Sequence, residues 1–187
     1  MKAVTDYLAA GGRVFTTDFM YTWYKYSPDA ALKSAATIPG GAPLGGFTVT
    51  LDTTFPKGKA LADWMKFVDP SVAYGAVPCD TVFANYSATD KTKVQTWGSS
   101  PGFFPAAAGP RFMTINMPVG KPVESQCGKA VHLDAHVNAT DKVDATYPAG
   151  CVAKIKPAEE AFAFFFFDLS SCIQKEADPP KPPPPIK

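Results

Sequence analysis

Residues 127–137, CGKAVHLDAHV, and residues 158–172, AEEAFAFFFFDLSSC, decide the reading of the fold. In the first, apolar positions surround an alternating His132, Asp134, His136 triplet. Every second side chain of a strand shares a face, so these three groups line up together near the strand's carboxyl end. The second stretch reads as a buried helix from about Pro157 to Cys172. Strand followed by buried helix is the unit of an α/β sheet, whose ligands sit outside the carboxyl ends of the strands. The triplet therefore marks a candidate site.

Working outward, residues 2–10 predict a short helix ended by Gly11-Gly12, and RVFTTDF (13–19) a buried strand. An aromatic cluster of Phe19, Tyr21, Trp23, Tyr24 and Tyr26 follows, then a helix over SPDAALKSAA with Ser27 as N-cap and Pro28 at its first position. GFTVTLDTTF (46–55) alternates as a strand should. PKGKALADWMKFV (56–68) is an amphipathic helix with Leu61, Trp64, Met65 and Val68 on one side. Residues 69–80 read as loop, TVFANYS (81–87) as a strand, residues 93–111 as a Pro/Gly-rich connection, and RFMTINMPV (111–119) as a strand. A long polar loop separates His136 from Pro157. The order predicts a single α/β domain over 1–173 whose chain begins in a helix, and so lacks the first βα unit of such a fold. Residues 174–187 end in PPKPPPPIK, a polyproline II or disordered tail or linker.

Composition narrows the function classes. The chain's 187 residues with 46% hydrophobic content can build one real core. A net charge of +1 without a basic cluster argues against nucleic acid as a partner. The run 162–169 is broken by Asp168 and falls far short of the roughly 20 residues a membrane span requires. No export signal stands at residues 1–12, where Asp6 and Tyr7 interrupt the apolar stretch.

GGRVFTTDFMYTWY, TFPKGKALADW, CGKAVHLDAHV and the closing LSSC together resemble the central domain of a group of large bacterial surface proteins. That domain is similar to the ThuA-like branch of the class I glutamine amidotransferase fold. The resemblance covers residues 2–173 and implies a flavodoxin-like, mostly parallel sheet with flanking helices. It carries no assigned activity. ThuA-like sites use a Gly-His element near the last strand, and His136 falls near that histidine. Amidotransferases need a cysteine at a sharp strand-to-helix turn and a His-x-Glu pair to activate it. Here the corresponding strand ends in Thr16, Thr17 and Asp18, so that activity is not expected, although His132-x-Asp134 mimics the spacing.

Asp18, His132, Asp134 and His136 are thus the candidate catalytic groups, of a composition that suits zinc or acid/base chemistry, against the alternative that all four are structural. Tyr21, Trp23, Tyr24 and Trp97 are candidates for stacking a carbohydrate or peptide ligand, against the alternative of core packing. No cofactor is implied. Four cysteines without C-x-x-C spacing suit two disulfides, or four reduced thiols. A helix of about 15 residues spans roughly 22 Å and should return Cys172 to the level of Cys127. That predicts Cys127 with Cys172 and, by elimination, Cys79 with Cys151. Disulfides imply export. The expectation is a non-catalytic binding or assembly module of an exported bacterial surface protein, with a protein partner or self-association; the alternative is a hydrolase-like enzyme, with or without a metal, using the Asp/His cluster.

Overall fold

The computed structural model describes residues 1–41, 45–102, 108–136 and 155–179. Helix α1 (Lys2–Ala9) leads into β1 (Arg13–Thr17). A 3-10 turn, Asp18–Met20, then carries the chain into two short helices, α2 (Tyr21–Lys25) and α3 (Ala30–Lys33). Asp29, not Ser27, caps α3, accepting from the Ala31 and Leu32 amides, while Ser27 Oγ accepts from Asp29 N one turn earlier. The short strand β2 (Ala36–Thr37) precedes β3 (Phe47–Leu51), α4 (Pro56–Val68) and β4 (Ala76–Cys79). Two more short strands, β5 (Thr81–Val82) and β6 (Ala88–Thr89), come before the long β7 (Val94–Ser100) and β8 (Gly109–Met117). The described elements end with β9 (Gly128–Leu133), β10 (Ala135–His136) and α5 (Pro157–Ser170). Both long helices, α4 and α5, start on proline, whose missing N–H costs nothing in a first turn.

Six strands form one sheet in the order β1-β9-β8-β7-β3-β4, curled into a half-barrel. Only β1 and β9 run parallel, with Thr17 opposite Leu133; the other four pairings are antiparallel. The expected mostly parallel, flavodoxin-like sheet is therefore not the fold. The error has a local origin. VQTWGSS carries a glycine and two serines and was expected to be connection, yet it is a central strand. Register shifts flank Gly98, and a Cβ there would lie 2.7 Å from Val49 Cγ1, so the glycine permits β3 and β7 to approach. Once β7 is a strand, the few residues joining β7 to β8, and β8 to β9, admit only antiparallel neighbours. Residues 69–80 likewise contain β4, and of the expected strand over 81–87 Thr81–Val82 forms a strand against β10, with a single bridge residue following at Phe83.

Helices cover both faces. On one, α4 and α5 bury Leu61, Met65, Phe162 and Phe165 against Val49, Trp97, Phe112, Val131 and Leu133. On the other, Leu8, Trp23, Tyr24 and Leu32 pack on Met113, Ile115 and Ala130. Strands β8 and β9 feed both cores alternately, which is why nearly every residue along them is buried. Beyond α5, Glu176 reaches Lys57 and Lys129, so the C-terminal segment is tied to the core at least that far.

The described cysteines Cys79, Cys127 and Cys172 are free thiols, and Cys151 lies outside the described residues, as does the proline tail from 180. Arg13 donates from Nη1 to Cys127 O and from Nη2 to Ser171 O, so α5 does return to the level where β9 begins. The expected Cys127–Cys172 bridge is nevertheless not formed. Arg13 stands between the two backbones, and Cys127 Sγ turns to Ala9 O at 3.4 Å.

Candidate functional site

The carboxyl ends of the parallel strands β1 and β9 lie side by side, and the four candidate groups follow directly from them. Asp18 is the first residue past β1, while His132, Asp134 and His136 run from β9 into β10. The structure separates them into an exposed pair and a sealed pair.

The exposed pair is Asp18 with His136. Asp18 Oδ2 lies 3.2 Å from His136 Nδ1, and His136 is about half exposed. Asp18 adopts φ +52°, left-handed backbone that costs an L-residue energy and that aspartate tolerates better than most. Asp18 Oδ1 is buried without a hydrogen-bond partner. Phe83 lies between this pair and the exposed ring of Phe19, its centroid 6.4 Å from His136 and 5.9 Å from Phe19. On the other side of His136 opens a cleft of about 90 Å³, lined by Pro78, Asp80, Lys156 and Glu159 among others. Lys156 Nζ bonds Asp80 Oδ2 at 2.8 Å across it. The cleft is small beside the roughly 300–1,000 Å³ of pockets that enclose a small-molecule ligand.

The sealed pair is His132 with Asp134, both 0% exposed. Thr16 Oγ1 lies within hydrogen-bond distance of both Val131 O and His132 Nδ1, each 2.9 Å away. His132 Nε2 lies 3.7 Å from Asp134 Oδ1 and makes no hydrogen bond. The rings of Tyr24 and Tyr86 close over the imidazole at centroid distances of 5.5 and 5.0 Å. Burial pushes both phenols up, a Thr16 hydrogen bond opposing it at Tyr24 and neighbouring Tyr24 and Asp134 adding to it at Tyr86. Asp134 Oδ1 accepts from Asn85 Nδ2 (2.6 Å) and Oδ2 from Asn85 N (3.0 Å). Arg111 Nη1 lies 4.0 Å from Oδ2. Burial pulls the Arg111 guanidinium down against the opposing pull of Asp134, and its N–H groups serve Ser100 Oγ, Tyr86 O and Pro110 O.

Chemically, the sealed pair can organise a core but cannot touch a substrate. The exposed pair resembles a base with its orienting carboxylate, and among the described residues no hydroxyl or thiol is hydrogen-bonded to His136 for it to activate. Also among the described residues, no three His, Cys, Asp or Glu side chains are grouped to hold a metal ion. No helix there is long and apolar enough to cross a membrane.

Of the aromatic candidates, Trp97 and Trp23 are 0% and 1% exposed and Tyr24 is buried, so none of the three offers a face to a ligand; Tyr21 is half-buried. Trp97 Nε1 donates to Thr114 Oγ1 and its ring packs on Phe55 and Phe165. Exposed aromatic surface lies instead on α4 and α5. Phe15 stacks on Phe166 with centroids 4.4 Å apart, Trp64 meets Phe167 at 6.3 Å, and Phe67 stands one turn beyond Trp64. Phe67 is 81% exposed, Phe167 67% and Phe166 54%. The sequence signal was the four-phenylalanine run 164–167, because no helix can turn four consecutive side chains toward one core.

A scan against protein-family models, a search of curated proteins and a search of solved structures each found no match.

Proposed function

We propose that this protein is a non-catalytic assembly module that associates with a second copy of itself through strand β1 and the adjoining aromatic strip. The strip of Phe15, Phe166, Phe167, Trp64 and Phe67 carries this reading. Contiguous exposed apolar surface of that kind marks contact sites on soluble proteins. It adjoins β1, which among the described residues pairs with β9 alone and so forms the edge of the described sheet. Placement within an exported bacterial surface protein rests on the resemblance alone, since the free thiols remove the disulfide argument for export. The test is a concentration series of the full chain by light scattering after size exclusion, beside Phe166→Ser/Phe167→Ser. The reading expects concentration-dependent dimers lost in the variant; a wild type monomeric at its highest attainable concentration refutes it.

Hydrolase-like chemistry is a second reading, favoured by the strained Asp18 backbone beside His136 at the parallel-strand edge. It expects turnover of activated esters that His136→Ala abolishes. Wild-type rates equal to buffer end it.

A further inference from the structure

Four charged side chains from four parts of the chain meet beneath the C-terminal segment. Lys57 comes from the first turn of α4, Lys129 from β9 and Asp168 from the last turns of α5. Glu176 comes from residues 171–179, which form neither helix nor strand. Lys57 Nζ lies 2.9 Å from Asp168 Oδ1 and 3.1 Å from Glu176 Oε2. Lys129 Nζ lies 3.0 Å from Glu176 Oε1 and also pairs with Asp168 Oδ2. Each ammonium thus touches both carboxylates, and each carboxylate gives one oxygen to each lysine. The square is nearly dry: side-chain exposure is 4% and 2% for the lysines, 7% for Asp168 and 12% for Glu176.

The members differ in how they are held. Lys57, Lys129 and Asp168 project from helices and a central strand whose places are set by the core. Glu176 alone arrives on irregular chain and is the most exposed of the four. Without it the remaining three carry a net charge of +1 in a site that water scarcely reaches. A buried ammonium lacking its counter-charge is costly, so the three need one further negative group. Its chemistry is specified by the geometry: two oxygens on one planar group, one for each lysine, and a single charge. A phosphate dianion would leave the cluster net negative beside Asp168 and is the poorer match.

We propose that Lys57, Lys129 and Asp168 form a carboxylate-binding site that the chain fills in cis with Glu176, making residues 171–179 a releasable strap. When the strap lifts, the site accepts the carboxylate of another molecule, such as an acidic side chain of a partner peptide. The proposal is independent of the aromatic strip and its role.

The experiment uses the full chain carrying Glu176→Ala, which opens a space the size of a carboxylate. Thermal unfolding is followed with sodium acetate replacing sodium chloride at a constant ionic strength of about 0.15 M. The expected result is a lowered midpoint in chloride, most of which acetate restores saturably, with no acetate effect on wild type. Glu176→Gln serves as the control, because its amide occupies the space without the charge: it is destabilised and acetate does not rescue it. Limited proteolysis within 171–179 should be faster in Glu176→Ala and slowed again by acetate. A midpoint unchanged in Glu176→Ala overturns the strap, and a lowered midpoint on which acetate acts no better than chloride overturns the carboxylate site. Should Glu176→Ala not fold in chloride, the yield of folded protein in acetate becomes the readout, and equal yields overturn the proposal.

Discussion

Replacing Asp134 by alanine separates a structural role for the His132–Asp134 pair from a role in a site. The carboxylate is fully buried, accepts two hydrogen bonds from Asn85 and is the acidic group nearest the buried guanidinium of Arg111. Hydrogen bonds to a charged group are worth about 1.5–3 kcal/mol each. Breaking a buried pair by deleting one partner costs about 3–5 kcal/mol, because the surviving charge is left uncompensated. These terms overlap, so about 3–5 kcal/mol is expected for Asp134→Ala, a large share of the roughly 5–15 kcal/mol that holds a typical domain together. With a urea dependence of about 2 kcal/mol per molar, the midpoint should fall by about 1.5–2.5 M. Equilibrium urea unfolding followed by tryptophan fluorescence measures it, since Trp23 and Trp97 are both buried. Residues kept for function at a solvent-facing site commonly cost little stability when removed. A midpoint shift below about 0.5 M would therefore refute the structural assignment and return Asp134 to the candidate site.

Burial pushes the Cys79 thiol up to about 12, with Asp80 adding to it, whereas Cys127 and Cys172 are exposed. Iodoacetamide at pH 8 on the native protein should therefore label Cys127 and Cys172 and spare Cys79, read by peptide mass mapping; refractory Cys127 and Cys172 without reductant would reinstate a bridge. At Lys57 burial lowers the ammonium, but Glu176 and Asp168 outweigh it and leave it above the ordinary lysine range. A group raised in the folded state gives stability that is full below its unfolded value, about 10.4, and is lost as pH climbs through the folded one. The urea midpoint of wild type should accordingly fall more steeply above pH 10 than that of Lys57→Met, and parallel profiles would contradict the square of charges. At Asp18, alanine and glycine both delete the carboxylate, but only alanine keeps the left-handed strain, so Asp18→Ala should be less stable than Asp18→Gly by about 1 kcal/mol in thermal melts. Equal stabilities would mean that Asp18 does not hold that conformation in solution.

What the sequence by itself determined was local. The periodicity of PKGKALADWMKFV and the apolar run after Pro157 specified α4 and α5, because a helix's buried stripe is written along its own residues. Alternation in FTVTL and the β-branched and apolar residues of 111–117 and 128–133 specified strands for the same reason. The neighbourhood of Asp18 and His136 was also legible, since Asp18 follows directly on β1 and His136 comes three residues after β9. Direction and depth were not. Whether β9 lies beside a parallel or an antiparallel strand depends on β7, and VQTWGSS is a strand only because β3 and β8 pair with it and tolerate the bulge at Gly98. His132 and Asp134 look like His136 in the sequence; only the closure of Tyr24, Tyr86 and Arg111 over them, from three distant segments, takes them out of water. The charge square was hinted at by Lys129 within an apolar strand and Asp168 within an apolar helix. Glu176 and Lys57 became their partners through tertiary packing alone, because the energy of a buried charge depends on groups that the chain brings near from far along its length.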